Sequence, residues 1–124
     1  MLSVRQLDQL PMRLPGADRS IVDAAKVRDY LLSLEHPVGR FKARVFLAAG
    51  YRRTDWAVLQ RDLQALARTG DAVPGRATPY GQFYEVRGIL HASPGRTLAV
   101  VTVWIVRPGE DVPRLVTVYP GASR

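Results

Sequence analysis

The chain has no cysteine, only two histidines and only two lysines, which stand against sixteen arginines. Without cysteine there is no disulfide framework, no thiol nucleophile and no cysteine-based zinc site, so stability must come from packing, as suits a reducing cytosol. No uninterrupted apolar run reaches membrane length, and the N-terminal Met1-Leu2-Ser3-Val4-Arg5-Gln6 lacks the apolar core of a signal peptide. A soluble, cytoplasmic chain with no membrane contact is expected. Acidic residues are also scarce: 11 Asp and Glu against 18 Lys and Arg leave a net charge of +7 and a pI near 10.5.

What is abundant is arginine, whose planar fork binds phosphates and never loses its charge. A polyanionic partner is therefore expected. The alternative is an arginine-rich genome that makes small basic proteins without any nucleic-acid role. The arginines are spread along the chain, so a basic patch must be assembled by folding.

A length of 124 residues with 47% hydrophobic and 23% charged side chains describes one globular domain with a single core. Pro11, Pro15 and Gly16 interrupt any periodicity in residues 1–18, which read as a loosely packed arm, and residues 19–124 read as the domain. Asp23 is a natural cap for a helix to about Leu34, with Val27, Tyr30, Leu31 and Leu34 at helical spacing. A second helix is predicted over about 39–49, ended by Gly50, with Phe41, Val45 and Ala48 as its buried stripe. A third runs from the Thr54-Asp55 cap to about Thr69, with Trp56, Leu59, Leu63 and Leu66 on one face. Residues 70–79 read as a loop. Three strands are predicted over 82–90, 97–106 and 114–119, separated by the turn signals Ser93-Pro94-Gly95 and Pro108-Gly109-Glu110-Asp111. Helices followed by an antiparallel meander give an α+β fold, the N-terminal helices covering one face of a C-terminal sheet.

Chemistry is most legible at Glu35-His36-Pro37-Val38-Gly39-Arg40-Phe41-Lys42-Ala43-Arg44. In a chain so poor in His and Lys, this stretch sets His36 at a Pro-restrained turn and Lys42 one turn into the helix that follows. His36 would lie beside a helix N-terminus, where free N–H groups attract anions. The bland alternative is that His36 only caps a turn and Lys42 is solvated. In the strands, alternation puts Val101, Val103 and Ile105 on one face. If that face meets the helices, Thr102, Trp104, Thr117 and Tyr119 line the open face together, a surface suited to binding, unless it is a second small core. Arg114 begins the last strand and reaches either this site or solvent. His91 stands in a hairpin without a matching carboxylate cluster, so neither metal nor cofactor is implied.

The run Asp29-Tyr30-Leu31-Leu32-Ser33, then His36-Pro37-Val38-Gly39 with Lys42-Ala43-Arg44, Thr78-Pro79-Tyr80-Gly81, Thr102-Val103-Trp104-Ile105 and Pro113-Arg114-Leu115-Val116-Thr117-Val118-Tyr119-Pro120, resembles an uncharacterised bacterial domain family. Similar domains form the C-terminal tips of large filamentous-haemagglutinin-type contact-dependent toxins. The His, Lys, Thr and Tyr set in turn resembles the barnase, EndoU, colicin and RelE superfamily of ribonuclease toxins, and the step to that superfamily is by analogy of fold and residue type. Here Val101 replaces an arginine found in relatives that read Val-Arg-Thr-Val-Trp.

The resemblance implies a metal-independent ribonuclease toxin acting on cytosolic RNA, with tRNA one candidate. His36 would be the general acid or base and Lys42 the phosphate stabiliser, with Thr117 and Tyr119 orienting the phosphate or sharing proton transfer. Arg114, Thr102, Trp104 and Arg44 would contact substrate. A cognate antitoxin or immunity protein would be the protein partner. The alternative is a non-enzymatic nucleic-acid- or protein-binding module of a toxin-antitoxin-like system, or a toxin relative that has lost activity.

Overall fold

Apolar residues three and four apart build the helices of the N-terminal half, and the computed structural model describes residues 12–120. The first eleven residues of the expected arm fall outside the described residues. Met12, however, pairs with Ala72 through hydrogen bonds in both directions, and Leu14 and Ala17 are buried in the core. After a 3₁₀ turn over Ala17–Arg19, helix α1 begins as one α-turn, Ala24–Lys26, and widens into a π-helical turn, Val27–Leu31. The Leu32 N–H donates to the Val27 carbonyl, the five-residue reach of a π turn. Helix α2 spans Arg40–Ala48 and ends at Gly50, whose φ of 113° suits glycine. A 3₁₀ turn, Arg53–Asp55, leads into helix α3, Trp56–Thr69, whose Leu59, Leu63, Leu66 and Ala67 are buried.

The C-terminal half is a four-stranded antiparallel sheet in chain order: β1 Asp71–Thr78, β2 Gly81–Ser93, β3 Arg96–Val106 and β4 Pro113–Pro120. The protein is thus α+β, helices first and sheet second. β1 replaces the loop expected over residues 70–79. Its Pro74 and Gly75 conceal a strand from sequence patterning, and they are tolerated because β1 is at the sheet edge and slips register between Pro74 and Ala77. Ahead of α1, Ile21 makes a single parallel bridge to Arg114 on the outer edge of β4.

Two packing expectations are corrected. In β3 the core-facing side is Val100, Thr102 and Trp104, all 2% exposed or less, while Val103 and Ile105 are half-buried on the other face. Both faces of β3 are apolar, so alternation alone cannot choose between them. The large indole takes the deeper side, and its N–H finds a partner there in the Thr102 hydroxyl. In α2, Ala43 and Phe46 are buried, whereas Phe41 and Val45 are 58% and 38% exposed. The helix is rotated because Gly39 abuts α1: a Cβ there would collide with the Tyr30 carbonyl oxygen and stand 2.9 Å from Tyr30 Cδ1. Gly39 itself has an ordinary helical φ of −72°. It serves close approach, which turns the Gly39–Ala43–Phe46 side inward.

Candidate functional site

The site is assembled where α1 and α2 lie beside the outer edge of β4. On β4 a bulge decides which side chains arrive. Trp104 pairs with Leu115 and Val103 with Thr117, so Val116 is an extra residue. Strict alternation would set Leu115, Thr117 and Tyr119 on one face. The bulge instead separates them, leaving Leu115 in the core with Trp104 and turning Thr117 and Tyr119 to the side that Lys42 reaches.

Lys42, one turn into α2, donates from Nζ to Thr117 Oγ1 at 2.6 Å and to the Tyr30 hydroxyl at 3.1 Å. Its ammonium also stands 4.6 Å from the centre of the Tyr119 ring and 5.2 Å from that of Tyr30. Among the described residues it makes no ion pair. An ammonium held by two hydroxyls and aromatic faces, with no carboxylate paired to it among the described residues, leaves one N–H direction for meeting an anion. The second lysine, Lys26, lies 5.8 Å from the Tyr30 ring centre. Both lysines of the chain therefore converge on Tyr30.

Tyr30 projects from the π turn of α1, and the His36 ring meets it edge-on at 4.9 Å with an interplanar angle of 88°. Burial alone would push its phenol up, but the Lys42 ammonium bonded to its oxygen, helped by Thr117 and Lys26, holds it below the ordinary tyrosine range. The sequence places Tyr30 in an amphipathic stripe and in the family motif, and neither gave it a role at the site. The available signal was its place in Asp29-Tyr30-Leu31-Leu32 ahead of the His-Pro turn.

His36 has a more constrained position than its spacing suggested. Its Nδ1 accepts hydrogen bonds from the N–H groups of Val38 and Gly39, at 3.1 and 2.9 Å, and its carbonyl accepts from Arg40 N–H. The imidazole thus closes the turn that leads into α2, bonding the N–H groups of the two residues that precede the helix. With Nδ1 acting as acceptor, the ring proton lies on Nε2.

The structure brings Lys42, Thr117 and Tyr119 together, with His36 joined to them through Tyr30. Thr102 and Trp104 are apart from this group. Both are fully buried, with Trp104 Nε1 donating to Thr102 Oγ1 at 2.7 Å and Thr102 Oγ1 donating to the Val86 carbonyl at 2.8 Å. Arg114 pairs with Glu110 at 3.2 Å, and Arg44 lies over the Phe41 ring. A groove of about 510 Å³ between α3 and β2, lined in part by Asp62, Asp71, Arg87 and His91, shares no residue with the Lys42 cluster.

Residues 13–122 match the family described as a domain of unknown function, DUF6883. The chain belongs to the DUF6883 family. The match covers every residue of the Lys42 cluster, so the cluster is part of the DUF6883 domain itself. No curated protein and no solved structure matches the chain. Among the described residues of this DUF6883 chain, no helix is long and apolar enough to cross a membrane, and no group of three or more His, Asp or Glu could hold a metal ion.

Proposed function

We propose that this DUF6883 chain is a metal-independent endoribonuclease of the toxin type, acting on cytosolic RNA, tRNA included. The observation that supports this most is the convergence of both lysines on Tyr30, with Lys42 bonded to two hydroxyls and facing no carboxylate among the described residues. Such a site is shaped for a phosphate with a proton-transferring oxygen beside it.

In the proposed step the ribose 2′-oxygen attacks phosphorus and passes its proton to the Tyr30 oxygen as that oxygen gives up its own. The bond from phosphorus to the 5′-oxygen breaks, and the proton given up by Tyr30 goes to that leaving oxygen. Products are a 2′,3′-cyclic phosphate and a 5′-hydroxyl, and the protein ends unchanged. Lys42 gives its remaining N–H to a non-bridging oxygen, Thr117 holds the Lys42 ammonium, and Tyr119 backs it. His36 becomes a positioning residue, since adding a proton to Nδ1 would set an N–H against two N–H donors. Its ring edge fixes Tyr30, and its turn bonds fix the approach to the helix that carries Lys42.

That occupied Nδ1 also favours the second reading, a binding module without catalysis, because His36 then does only structural work. Induced expression in a bacterium separates the two. A nuclease arrests growth and generates new RNA ends carrying 5′-hydroxyls, and Tyr30→Phe and Lys42→Met abolish both effects. Wild type without new RNA ends would leave the binding module in place.

A further inference from the structure

The outer face of α2 presents an unpartnered aromatic between cations. Phe41 is 58% exposed, and the guanidinium carbons of Arg40 and Arg44 lie 4.9 and 5.6 Å from its ring centre. Val38 and Val45, also exposed, flank it at helical spacing. Among the described residues neither arginine makes an ion pair. Lys42 projects about 100° farther around the helix than Phe41, so this face borders the site, where a second exposed aromatic, Tyr119, backs the Lys42 ammonium.

We infer that this face of α2 is a base-stacking platform for single-stranded RNA, with Phe41 taking a nucleobase next to the phosphate bound at Lys42; the inference rests on the ribonuclease reading above and names where its substrate lies. Charge decides the occupant. Among the described residues neither guanidinium meets a carboxylate, and the chain carries a net charge of +7, so the face is matched to a polyanion. Planar guanidiniums stack on nucleobases as they do on a phenyl ring, and they neutralise the adjoining phosphates. Stacking on an exposed ring tolerates any base, so the platform adds affinity without demanding a sequence.

Binding to 2′-O-methyl RNA tests the platform apart from cleavage, since that backbone offers no free 2′-hydroxyl to attack. Anisotropy of an end-labelled 2′-O-methyl single strand is compared with that of an abasic backbone of equal length. Phe41→Leu is expected to weaken binding of the base-bearing strand by about tenfold and of the abasic strand by less than about twofold. Phe41→Trp should keep the affinity and lose its added fluorescence on binding. Because Phe41 is exposed, an unchanged melting curve for Phe41→Leu verifies the fold. Equal loss on both strands, or none, overturns the platform. So does a dimer in light scattering that Phe41→Leu dissolves while RNA affinity is untouched, which would make this face a protein interface. Absence of cleavage on unmodified RNA would sink the nuclease reading alone, since the anisotropy result does not depend on it.

Discussion

Replacing Thr102 by valine tests the assignment of sheet faces on which the site depends. Valine matches threonine in shape, so no cavity is made, and what changes is the hydrogen bonding. Thr102 Oγ1 accepts from Trp104 Nε1 and donates to the Val86 carbonyl, all within residues that are 0% exposed. The substitution strands the indole N–H where no water reaches it, a cost of about 1–3 kcal/mol, and removes a second bond of about 1 kcal/mol. The more apolar valine offsets part of this, so Thr102→Val should lose about 2–3 kcal/mol and lower Tm by roughly 10 °C. Urea unfolding followed by tryptophan fluorescence measures it, and Thr102→Ser, which keeps the hydroxyl, should recover most of the loss. A loss below about 0.5 kcal/mol would be that of a surface position. Thr102 would then lie on the open face, and the burial of Trp104 described above would be wrong.

Three further outcomes follow from the cluster. Gly39→Ala, which in an ordinary helical position would stabilise slightly, should instead cost about 1–3 kcal/mol by pushing α2 away from Tyr30; a gain in denaturant midpoint would refute the close contact. In a spectrophotometric titration the Tyr30 phenolate should form at lower pH than an ordinary tyrosine, because Lys42 favours the charged form despite partial burial. Lys42→Met should move that midpoint up, and superimposable titration curves would show that the two groups do not interact. His36→Ala should lose about 1 kcal/mol with the two turn bonds, and His36→Asn, which retains a side-chain acceptor, should restore most of it; equal stability of all three proteins would remove this role for the imidazole.

The helices were legible in the sequence because their apolar spacing, caps and terminal glycines agree with one another, and the three long strands because turn signals separate them. β1 was not, since Pro74 and Gly75 read as loop chemistry and only the pairing with β2 makes them a strand. At the site, the scarcity of lysine drew attention to Lys42, whose contacts to Thr117 and Tyr119 join residues far apart in sequence. Thr102 and Trp104 were grouped with them because alternation is blind to which of two apolar faces is inward, and because the extra residue Val116 shifts the phase of β4. Tyr30 was hidden for a different reason. A tyrosine at helical spacing reads as core, and nothing local reveals that both lysines will fold onto its ring.

Cleavage of an end-labelled RNA by purified protein in EDTA bears most directly on the claim that Lys42 and Tyr30 form a phosphodiester-cleaving pair. The wild type should release fragments ending in a 2′,3′-cyclic phosphate and leave the DNA counterpart intact. Tyr30→Phe should slow cleavage by about a hundredfold or more, the loss expected when a proton-transferring group is removed. Wild type that fails to cleave, or Tyr30→Phe that cleaves at the wild-type rate, would contradict it.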